Sequence, residues 1–489
     1  MKSFTKIISF LLILSLVFSL CACKSADEEE SAAAGDVVTG DSEQNESPEN
    51  NTDNPSDNQE NSNTETPENT EKDEDKKPEE KPEENNDQTN KPSPEENNQN
   101  TPSPEEENTD SEEEYDQYAI EPEFDTYISN TFVPTGNHFA LVSVDETTKT
   151  FRGVFPVQQT GRLEYAFYFS NCVDSTWGGG DVAYRNMPTE SYEILSAAVM
   201  VSKSTETSSV SRKTTVTFDG KKSKTVEAEE MFWSDPVMFN VAEGEFLVFE
   251  WKVKYTLIPC NKINGVGYGY VSNDSGASFT KASEGMPMPS MIGAKRDGVK
   301  SIAFIGDSIT AGEGAGVHSG YVAQISKQLG ADVSVWNLGL GYARANDAVN
   351  SPSWLKKAKA TDNVAICLGV NDINSGAYNV GARTADQILG DIKTVAEEVE
   401  KAGAKVIIIA TPVYSYNGAE RVQIWKDVVS GSQKYAKEKG FEFFDFGPVI
   451  CDPSDSTKPG YGAHPNADGC AKAADAFMQE YKNGNITLK

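Results

Sequence analysis

The stretch FIGDSITAGEG, residues 304–314, decides the fold because in it an apolar run gives way to a lone serine. The apolar run predicts a buried strand, and the small residues after Ser308 predict a turn into a helix. Backbone N–H groups at the start of such a helix can stabilise an anion. Ser308 is therefore either a nucleophile beside an anion site or an ordinary helix N-cap, and this stretch alone favours neither.

From about residue 299 onward the sequence alternates between apolar runs and amphipathic stretches. One such stretch, ARTADQILGDIKTVAEEVEKAG, has apolar residues at helical spacing. The pattern predicts an α/β domain over residues 298–489, a flavodoxin-like, three-layer fold whose five-stranded parallel sheet is covered by helices on both faces. Active sites in such folds lie at the carboxyl ends of the strands. The five predicted strands are SIAFIG, VSVWNLG, VAICLG, KVIIIATPV and FEFFDFG.

Residues 117–297 carry β patterns without long helical periodicity. In FLVFEWKVKYT, Phe246–Thr256, large apolar residues alternate with charged ones, which is typical of a strand with one buried face. Asp219-Gly220 separates two strand-like runs and predicts a hairpin. These patterns predict an all-β domain, a sandwich of the jelly-roll type.

Residues 1–23 have the features of an export signal. Two lysines precede an apolar run, Ile7 to Leu20, that is too short to span a bilayer comfortably. The run ends in LCAC, residues 20–23, which resembles a bacterial lipobox. The segment is therefore predicted to be a lipoprotein signal peptide with lipid attachment at Cys23, which implies anchoring at the extracellular face of the cell membrane. An ordinary secretory signal cleaved near Ala22 is the alternative.

Residues 24–116 have a composition unlike the rest of the chain. They hold 33 acidic and 6 basic side chains, which account for most of the formal net charge of −33. Their few large apolar residues cannot offset the entropy cost of ordering, so the segment is predicted to be an acidic, disordered linker. The acidity therefore says little about the substrate, and no basic patch indicates a nucleic-acid partner.

Three further segments follow predicted strands and carry groups suited to catalysis. NLGLGY, residues 337–342, provides glycines whose backbone can approach a ligand closely, and GVND provides the amide of Asn371. YGAHPNADG, residues 461–469, holds His464. With Ser308 these segments supply a nucleophile, a base and oxyanion donors, which acyl transfer requires. No Cys/His spacing suggests a metal site.

The blocks GDSIT, NLGLG, GVND and HPNADG resemble those of the SGNH, or GDSL, hydrolase family in content and order. The resemblance implies a serine esterase without metal or cofactor, with Ser308 as nucleophile and His464 as general base. It implies an oxyanion hole made by the N–H groups of Ser308 and Gly341 and the side chain of Asn371. Gly339 is the alternative to Gly341. The β part more loosely resembles the front domain of secreted bacterial GDSL-type acylhydrolases, and similar two-domain arrangements occur among carbohydrate esterases.

One position departs from the family pattern. The last block of the family has Asp-x-x-His, whereas Tyr461 stands three residues before His464 here. Three explanations stay open: a backbone carbonyl orients His464, Asp452 or Asp455 reaches it from the preceding loop, or the enzyme is slow or inactive. The first two need only hold the imidazole in the correct tautomer.

Together these features predict an extracellular, membrane-anchored serine esterase that hydrolyses acyl esters, with acetyl groups on polysaccharide as the favoured substrate. A glycan-binding or adhesion lipoprotein with a weakly active or inactive hydrolase fold is one alternative. A lipase or thioesterase is the other. His318 is predicted to lie in a surface loop, and His138 receives no role. A disulfide between Cys451 and Cys470 would brace the segment that holds His464.

Overall fold

The computed structural model describes residues 118–174, 189–206, 210–283, 285–375 and 382–489. All of these residues belong to one compact unit. The predicted signal peptide, its Cys23 and the acidic linker lie outside the described residues. Within the described ranges, every helix is too short or too polar to cross a membrane.

Two antiparallel sheets fill the first part of the described chain. One has the strand order β1–β13–β3–β7 with β8 also paired to β3, and the other has the order β11–β10–β2–β9–β4–β5 with β12 on β9 and β6 on β4. A short helix, α1 (Glu123–Thr126), precedes them. The strands are β1 (Tyr127–Ser129), β2 (Phe139–Pro156), β3 (Gly161–Ser170), β4 (Tyr192–Ser202), β5 (Ser211–Val216), β6 (Lys224–Val226), β7 (Met231–Trp233), β8 (Val237–Val241), β9 (Phe246–Lys262), β10 (Tyr268–Ser272), β11 (Thr280–Lys281), β12 (Gly285–Met286) and β13 (Met291–Lys295).

The alternation predicted for β9 is present in the structure. Trp251, Val253 and Tyr255 are buried, and the lysines between them are partly exposed. Phe249 on β9 and Phe167 on β3 belong to one hydrophobic cluster, with ring centroids 4.7 Å apart. Both antiparallel sheets therefore contribute to one core, while the finer description as a jelly-roll sandwich stays a prediction.

The turn at Asp219-Gly220 forms, but the strands beside it do not pair with each other. Phe218 and Lys221 exchange two backbone hydrogen bonds of 2.8 and 2.9 Å across it, and both turn residues have positive φ. The flanking strands β5 and β6 each pair with the longer β4. The prediction of a turn here is thus confirmed, and the prediction that the two flanking strands pair with each other is wrong. Pairing with β4 stabilises both strands more than an isolated two-stranded hairpin would.

The second part contains the predicted five-stranded parallel sheet. Its order is β15–β14–β16–β17–β18, and every neighbouring pair is parallel. This is the strand order of flavodoxin-like folds. The strands are β14 (Lys300–Gly306), β15 (Val333–Gly339), β16 (Asn363–Cys367), β17 (Lys405–Ile409) and β18 (Glu442–Phe444).

Helices cover both faces of this sheet. Ala303 and Ile305 of β14 pack in one cluster with α4, α5, α7 and α8, whereas Ile302 and Phe304 pack in another with α3 and α10. A 3₁₀ turn (Gly330–Asp332) follows α3, and a two-stranded ladder, β19 (Cys451–Asp452) and β20 (Asp455–Pro459), precedes α10. The helices are α2 (Ser308–Ala311), α3 (Tyr321–Leu329), α4 (Ala345–Asn350), α5 (Pro352–Lys359), α6 (Val370–Asn374), α7 (Ala385–Lys401), α8 (Ala419–Lys439), α9 (Gly447–Ile450) and α10 (Ala467–Lys482).

The antiparallel part packs directly against the parallel sheet. The buried Trp336 of β15 stacks on Phe124 with ring centroids 6.1 Å apart, and its indole N–H donates to Thr135 Oγ1 at 3.0 Å. Lys357 and Asp174 form an ion pair in which both side chains are fully buried. The contact between the two parts thus includes side chains that are buried from solvent. Their separation into two domains stays a prediction.

Candidate active site

Ser308 lies just beyond the carboxyl end of β14, which pairs with β15 on one side and β16 on the other. The residue that caps α2 is Asp307, whose carboxylate accepts a hydrogen bond from the N–H of Ile309 at 2.9 Å. Burial raises the pKa of Asp307 to about 7. Ser308 is therefore the first residue of the helix rather than its N-cap, which leaves its hydroxyl available for another partner.

That partner is His464, which lies in the segment between β20 and α10. Its Nε2 is 2.8 Å from Ser308 Oγ, and the ring edge of Tyr414 meets it at a centroid distance of 5.9 Å. Burial lowers the pKa of His464, while the carboxylate of Glu313 raises it and the ammonium of Lys262 lowers it. A neutral imidazole in this position can accept the proton of the serine hydroxyl.

The register of the sheet brings the second glycine-containing segment level with Ser308. Gly306 is paired with Gly339 on β15, and the N–H of Gly339 donates to Asn337 Oδ1 at 2.9 Å. A Cβ on Gly339 would lie 2.2 Å from the backbone nitrogen of Ala311, so this glycine permits close packing of α2. The N–H of Gly341 has no hydrogen-bond partner among the described residues. Of the two alternatives, Gly341 is therefore the one with a free donor.

Asn371 lies in α6, just beyond the end of β16. Because β16 pairs with β14 on its other side, the segment that holds Asn371 starts at the same edge of the sheet as Ser308. One side-chain N–H of Asn371 donates to the carbonyl of Ala343 at 3.0 Å. An amide has two such protons, so the second is available to an oxyanion.

Buried charged residues hold the segments after β15 and β16 in place. Asp372 accepts from the N–H of Ala345 at 2.7 Å and from the guanidinium of Arg383 at 3.1 Å. Burial raises the pKa of Asp372 to about 6. Arg344 and Asp347 form a second buried ion pair next to them. The segments after β15 and β16 are thus joined by charge-assisted hydrogen bonds.

The carboxylates considered as orienting groups for His464 are used elsewhere. Asp452 accepts from the N–H and hydroxyl of Ser454 at 2.7 and 2.6 Å, and Asp455 accepts from those of Thr457 at 3.0 and 2.6 Å. Among the described residues, no hydrogen bond reaches Nδ1 of His464. The structure therefore gives no support to either aspartate as the orienting group, and no carbonyl of the described residues takes that place.

Three residues near the site were not identified from the sequence. Lys262, the last residue of β9, forms a 2.9 Å ion pair with Glu313, which follows α2. His138 is buried against Gly341, where an added Cβ would lie 2.6 Å from its Cε1. Burial lowers the pKa of His138 to about 3. Lys262 and His138 come from the antiparallel part, so no motif within the hydrolase segment could have indicated them.

Two further expectations are corrected. His318 does not lie in an open surface loop but is half-buried between the rings of Phe132 and Tyr268, at centroid distances of 5.7 and 5.5 Å. Burial lowers its pKa to about 4. Cys451 and Cys470 are both free thiols, so the segment that holds His464 has no disulfide brace. In the described residues no group of His, Cys, Asp and Glu side chains is arranged to hold a metal ion.

Comparisons with known proteins agree with the motif assignment. Residues 304–472 match the model of the GDSL-like Lipase/Acylhydrolase family. No curated protein matches the chain in sequence.

Several solved structures are similar to the hydrolase part. A putative lipolytic protein of the G-D-S-L family from Desulfitobacterium hafniense is 20% identical over 37% of this chain and 98% of its own, with a TM-score of 0.32. A family member from Veillonella parvula is 19% identical over 38% of this chain and 99% of its own, with a TM-score of 0.31. An acetylxylan esterase from Geobacillus stearothermophilus is 18% identical over 38% of this chain and 95% of its own, with a TM-score of 0.30.

The family match spans the segments that carry Ser308, Gly341, Asn371 and His464. It coincides with the parallel sheet and the helices around it. Residues 304–472 therefore form a GDSL-like lipase/acylhydrolase domain.

Proposed function

We propose that this protein is a serine esterase that hydrolyses acyl esters through an acyl-enzyme. The observation that carries the proposal is the 2.8 Å contact between Ser308 Oγ and His464 Nε2 beside two segments with free N–H donors. A hydroxyl, an imidazole and preorganised donors at one edge of a sheet are the groups that acyl transfer needs.

In the first half of the reaction, Ser308 Oγ attacks the ester carbonyl carbon while its proton moves to Nε2 of His464. The carbonyl oxygen becomes an oxyanion that accepts hydrogen bonds from the N–H groups of Ser308 and Gly341 and from Asn371. The bond to the alcohol oxygen then breaks, and the imidazolium gives its proton to the departing alcohol. An acyl group is left on Ser308.

In the second half, water replaces the alcohol. Nε2 of His464 takes a proton from the water as its oxygen attacks the acyl carbon, and the same donors hold the oxyanion. The bond to Ser308 Oγ breaks, the proton returns to Oγ, and the carboxylic acid leaves. The chain's own residues perform every step, so we propose no metal or cofactor.

The surroundings of the site favour a short acyl group. The Lys262–Glu313 ion pair adjoins Gly341, and such charges are poor neighbours for a long hydrocarbon chain. We therefore propose acetyl esters as substrates. The predicted export signal and lipid-modified Cys23 would place the enzyme at the extracellular face of the cell membrane, where acetylated polysaccharide is the favoured substrate.

A glycan-binding or adhesion lipoprotein is the second candidate. In its favour, Nδ1 of His464 has no hydrogen-bond partner among the described residues, which would suit a weakly active hydrolase fold. Against it, the contact between Ser308 and His464 is intact. The lipase or thioesterase alternative is disfavoured by the charged neighbours of Gly341.

Hydrolysis of p-nitrophenyl acetate by the purified full-length protein tests the proposal, with p-nitrophenyl palmitate as the long-chain comparison. We expect turnover of the acetate, weaker turnover of the palmitate, and a loss of about 10⁴-fold or more in Ser308→Ala. Ser430→Ala, which removes an exposed hydroxyl on α8, is the matched control and should keep full activity. Equal turnover by the wild type and Ser308→Ala would exclude Ser308 as the nucleophile.

A further inference from the structure

The turn that follows α2 holds a carboxylate close to the catalytic pair. Glu313 lies between Gly312 and Gly314, whose φ angles of 97° and 84° require glycine. Its N–H donates to the carbonyl of Ser308 at 2.9 Å. A Cβ on Gly314 would lie 2.6 Å from Cβ of His464, so the turn packs directly on that histidine. The turn that carries Glu313 therefore contacts both members of the pair, Ser308 through the N–H of Glu313 and His464 through Gly314.

The antiparallel part of the chain holds the Glu313 side chain. Lys262 Nζ, at the end of β9, is 2.9 Å from Glu313 Oε2. The other carboxylate oxygen, Oε1, lies 2.8 Å from where a Cβ on Gly341 would be. The side chain of Glu313 is only 19% exposed, so solvent screens its charge less than it would screen a surface charge.

These two charges are the ones that act on His464. The carboxylate of Glu313 raises the pKa of the imidazole, whereas Lys262 and burial lower it. The other groups against the ring are Ser308 on Nε2 and the edge of Tyr414. Asp307 directs its carboxylate to the N–H of Ile309. A base that becomes a cation in the transition state is stabilised by a negative charge nearby, and no carboxylate is hydrogen-bonded to Nδ1 in the described residues.

We propose that Glu313 is the acid of this site, a positioning residue whose charge stabilises the imidazolium of His464 through space, with Lys262 of the antiparallel part holding and moderating that charge. This rests on the proposed function and gives the antiparallel part a role in the site. It also explains how the site works with Tyr461 in the place of an orienting aspartate.

Two variants with opposite expected effects test the proposal. Glu313→Gln removes the negative charge at nearly the same size, and Lys262→Met removes the positive charge. Glu438→Gln, on the exposed side of α8, is the control for a lost carboxylate. The chain has only three histidines, so the His464 signal can be followed in an NMR pH titration of the full-length protein.

We expect the midpoint of the His464 titration to fall in Glu313→Gln, to rise in Lys262→Met and to stay unchanged in Glu438→Gln. The acidic limb of kcat/KM for p-nitrophenyl acetate should move in the same directions. The value of kcat/KM on the plateau at higher pH should fall about tenfold in Glu313→Gln, which is the size expected for the loss of one charge interaction. General damage to the fold would not move the two midpoints in opposite directions.

An unshifted His464 midpoint in Glu313→Gln, or a shift in the same direction in both variants, would overturn the proposal. The NMR titration does not need turnover. An inactive wild type would therefore contradict the esterase function alone, whereas an active wild type with an unshifted Glu313→Gln midpoint would contradict the role of Glu313 alone.

Discussion

In the proposed reaction Asn371 and His464 both assist Ser308, but their segments are held by different kinds of interaction. The Asn371 segment is tied by the buried Asp372, which accepts hydrogen bonds from the N–H of Ala345 at 2.7 Å and from Arg383 at 3.1 Å. The His464 segment is preceded by a short ladder in which Asp452 accepts from Ser454, while Asp455 accepts from Thr457 and pairs with Lys458. The described residues give its imidazole one hydrogen bond, to Ser308.

The difference follows from what each side does during the reaction. An oxyanion donor must stay in one place, and buried hydrogen-bonded charges provide that rigidity. A base must gain and lose a proton, and a neighbouring charge that is not hydrogen-bonded can favour the cation without fixing it in that state. We therefore expect substitutions on the oxyanion side to affect stability and activity, and substitutions on the base side to affect activity and its pH dependence.

The largest effect is expected from His464→Ala. Loss of the base should lower kcat for p-nitrophenyl acetate by about 10⁴-fold or more, with little change in the free energy of unfolding. The double variant Ser308→Ala/His464→Ala should be no slower than either single variant, because the two groups act as a unit. Steady-state kinetics on matched preparations measures this, and additive losses would contradict the paired role.

Asp372→Asn should instead cost stability. The substitution removes a buried carboxylate that pairs with the guanidinium of Arg383. We expect the free energy of unfolding to fall by about 3 kcal/mol. Because burial raises the pKa of Asp372 to about 6, the folded protein favours the neutral carboxyl, and the wild type gains stability as the pH falls from 8 to 5. The cost of Asp372→Asn should therefore be larger at pH 5 than at pH 8. Urea denaturation at the two pH values measures it. An equal cost at both would argue against a titration of Asp372 between pH 5 and pH 8.

Asn371→Ala should lower kcat by about 10²- to 10³-fold and leave KM nearly unchanged, since the donor acts on charge that develops only in the transition state. The loss should be smaller than that of His464→Ala. A mainly KM effect would indicate that Asn371 binds the ground state instead of the oxyanion.

The two candidate glycines should respond differently to alanine. Gly339→Ala places a methyl group 2.2 Å from the backbone nitrogen of Ala311 and should lower the unfolding free energy by about 1–3 kcal/mol. Gly341→Ala meets the side chains of His138 and Glu313 at 2.6 and 2.8 Å, which can move. That variant should stay folded with reduced kcat. Thermal melting combined with kinetics separates the outcomes, and the reverse pattern would favour Gly339 as the oxyanion donor.

The smallest effects are expected from Asp452→Asn and Asp455→Asn. Their carboxylates bond to Ser454 and Thr457 in exposed turns, so activity and its pH profile should stay close to those of the wild type. A large loss of kcat in either variant would show that the aspartate reaches His464 during turnover. The His464 segment would then be held by a hydrogen-bonded carboxylate, as the Asn371 segment is.

Local patterns were sufficient to predict most of the fold. The five parallel strands have continuous apolar runs because both of their faces are buried. β9 alternates from Phe249 to Thr256 because only one of its faces is buried there. The pairing of β5 and β6 with β4 could not be predicted, since a hairpin turn fixes its own geometry but not the competition from a third strand. The segments before residue 118 stay predictions.

The motifs predicted that Ser308, Asn371 and His464 follow strands of one sheet, because each motif comes directly after a strand or before a helix of the pattern, and the roles of these residues stay predictions. The preference for Gly341 over Gly339 depends on the hydrogen bond that the N–H of Gly339 donates to Asn337 and on the packing of α2, which no spacing rule contains. Lys262 lies far from these motifs in sequence. Its position depends on how the antiparallel part packs on the parallel sheet, so pattern analysis of either part alone misses it.

The most direct test of the account is a crystal structure of the full-length protein after reaction with a phosphonate ester that mimics the tetrahedral intermediate. We expect phosphorus bonded to Ser308 Oγ and one phosphonyl oxygen about 3 Å from the nitrogens of Ser308, Gly341 and Asn371 Nδ2. An adduct on another residue, or a phosphonyl oxygen that points to solvent away from these donors, would contradict the claim that the segments converge on one reacting centre.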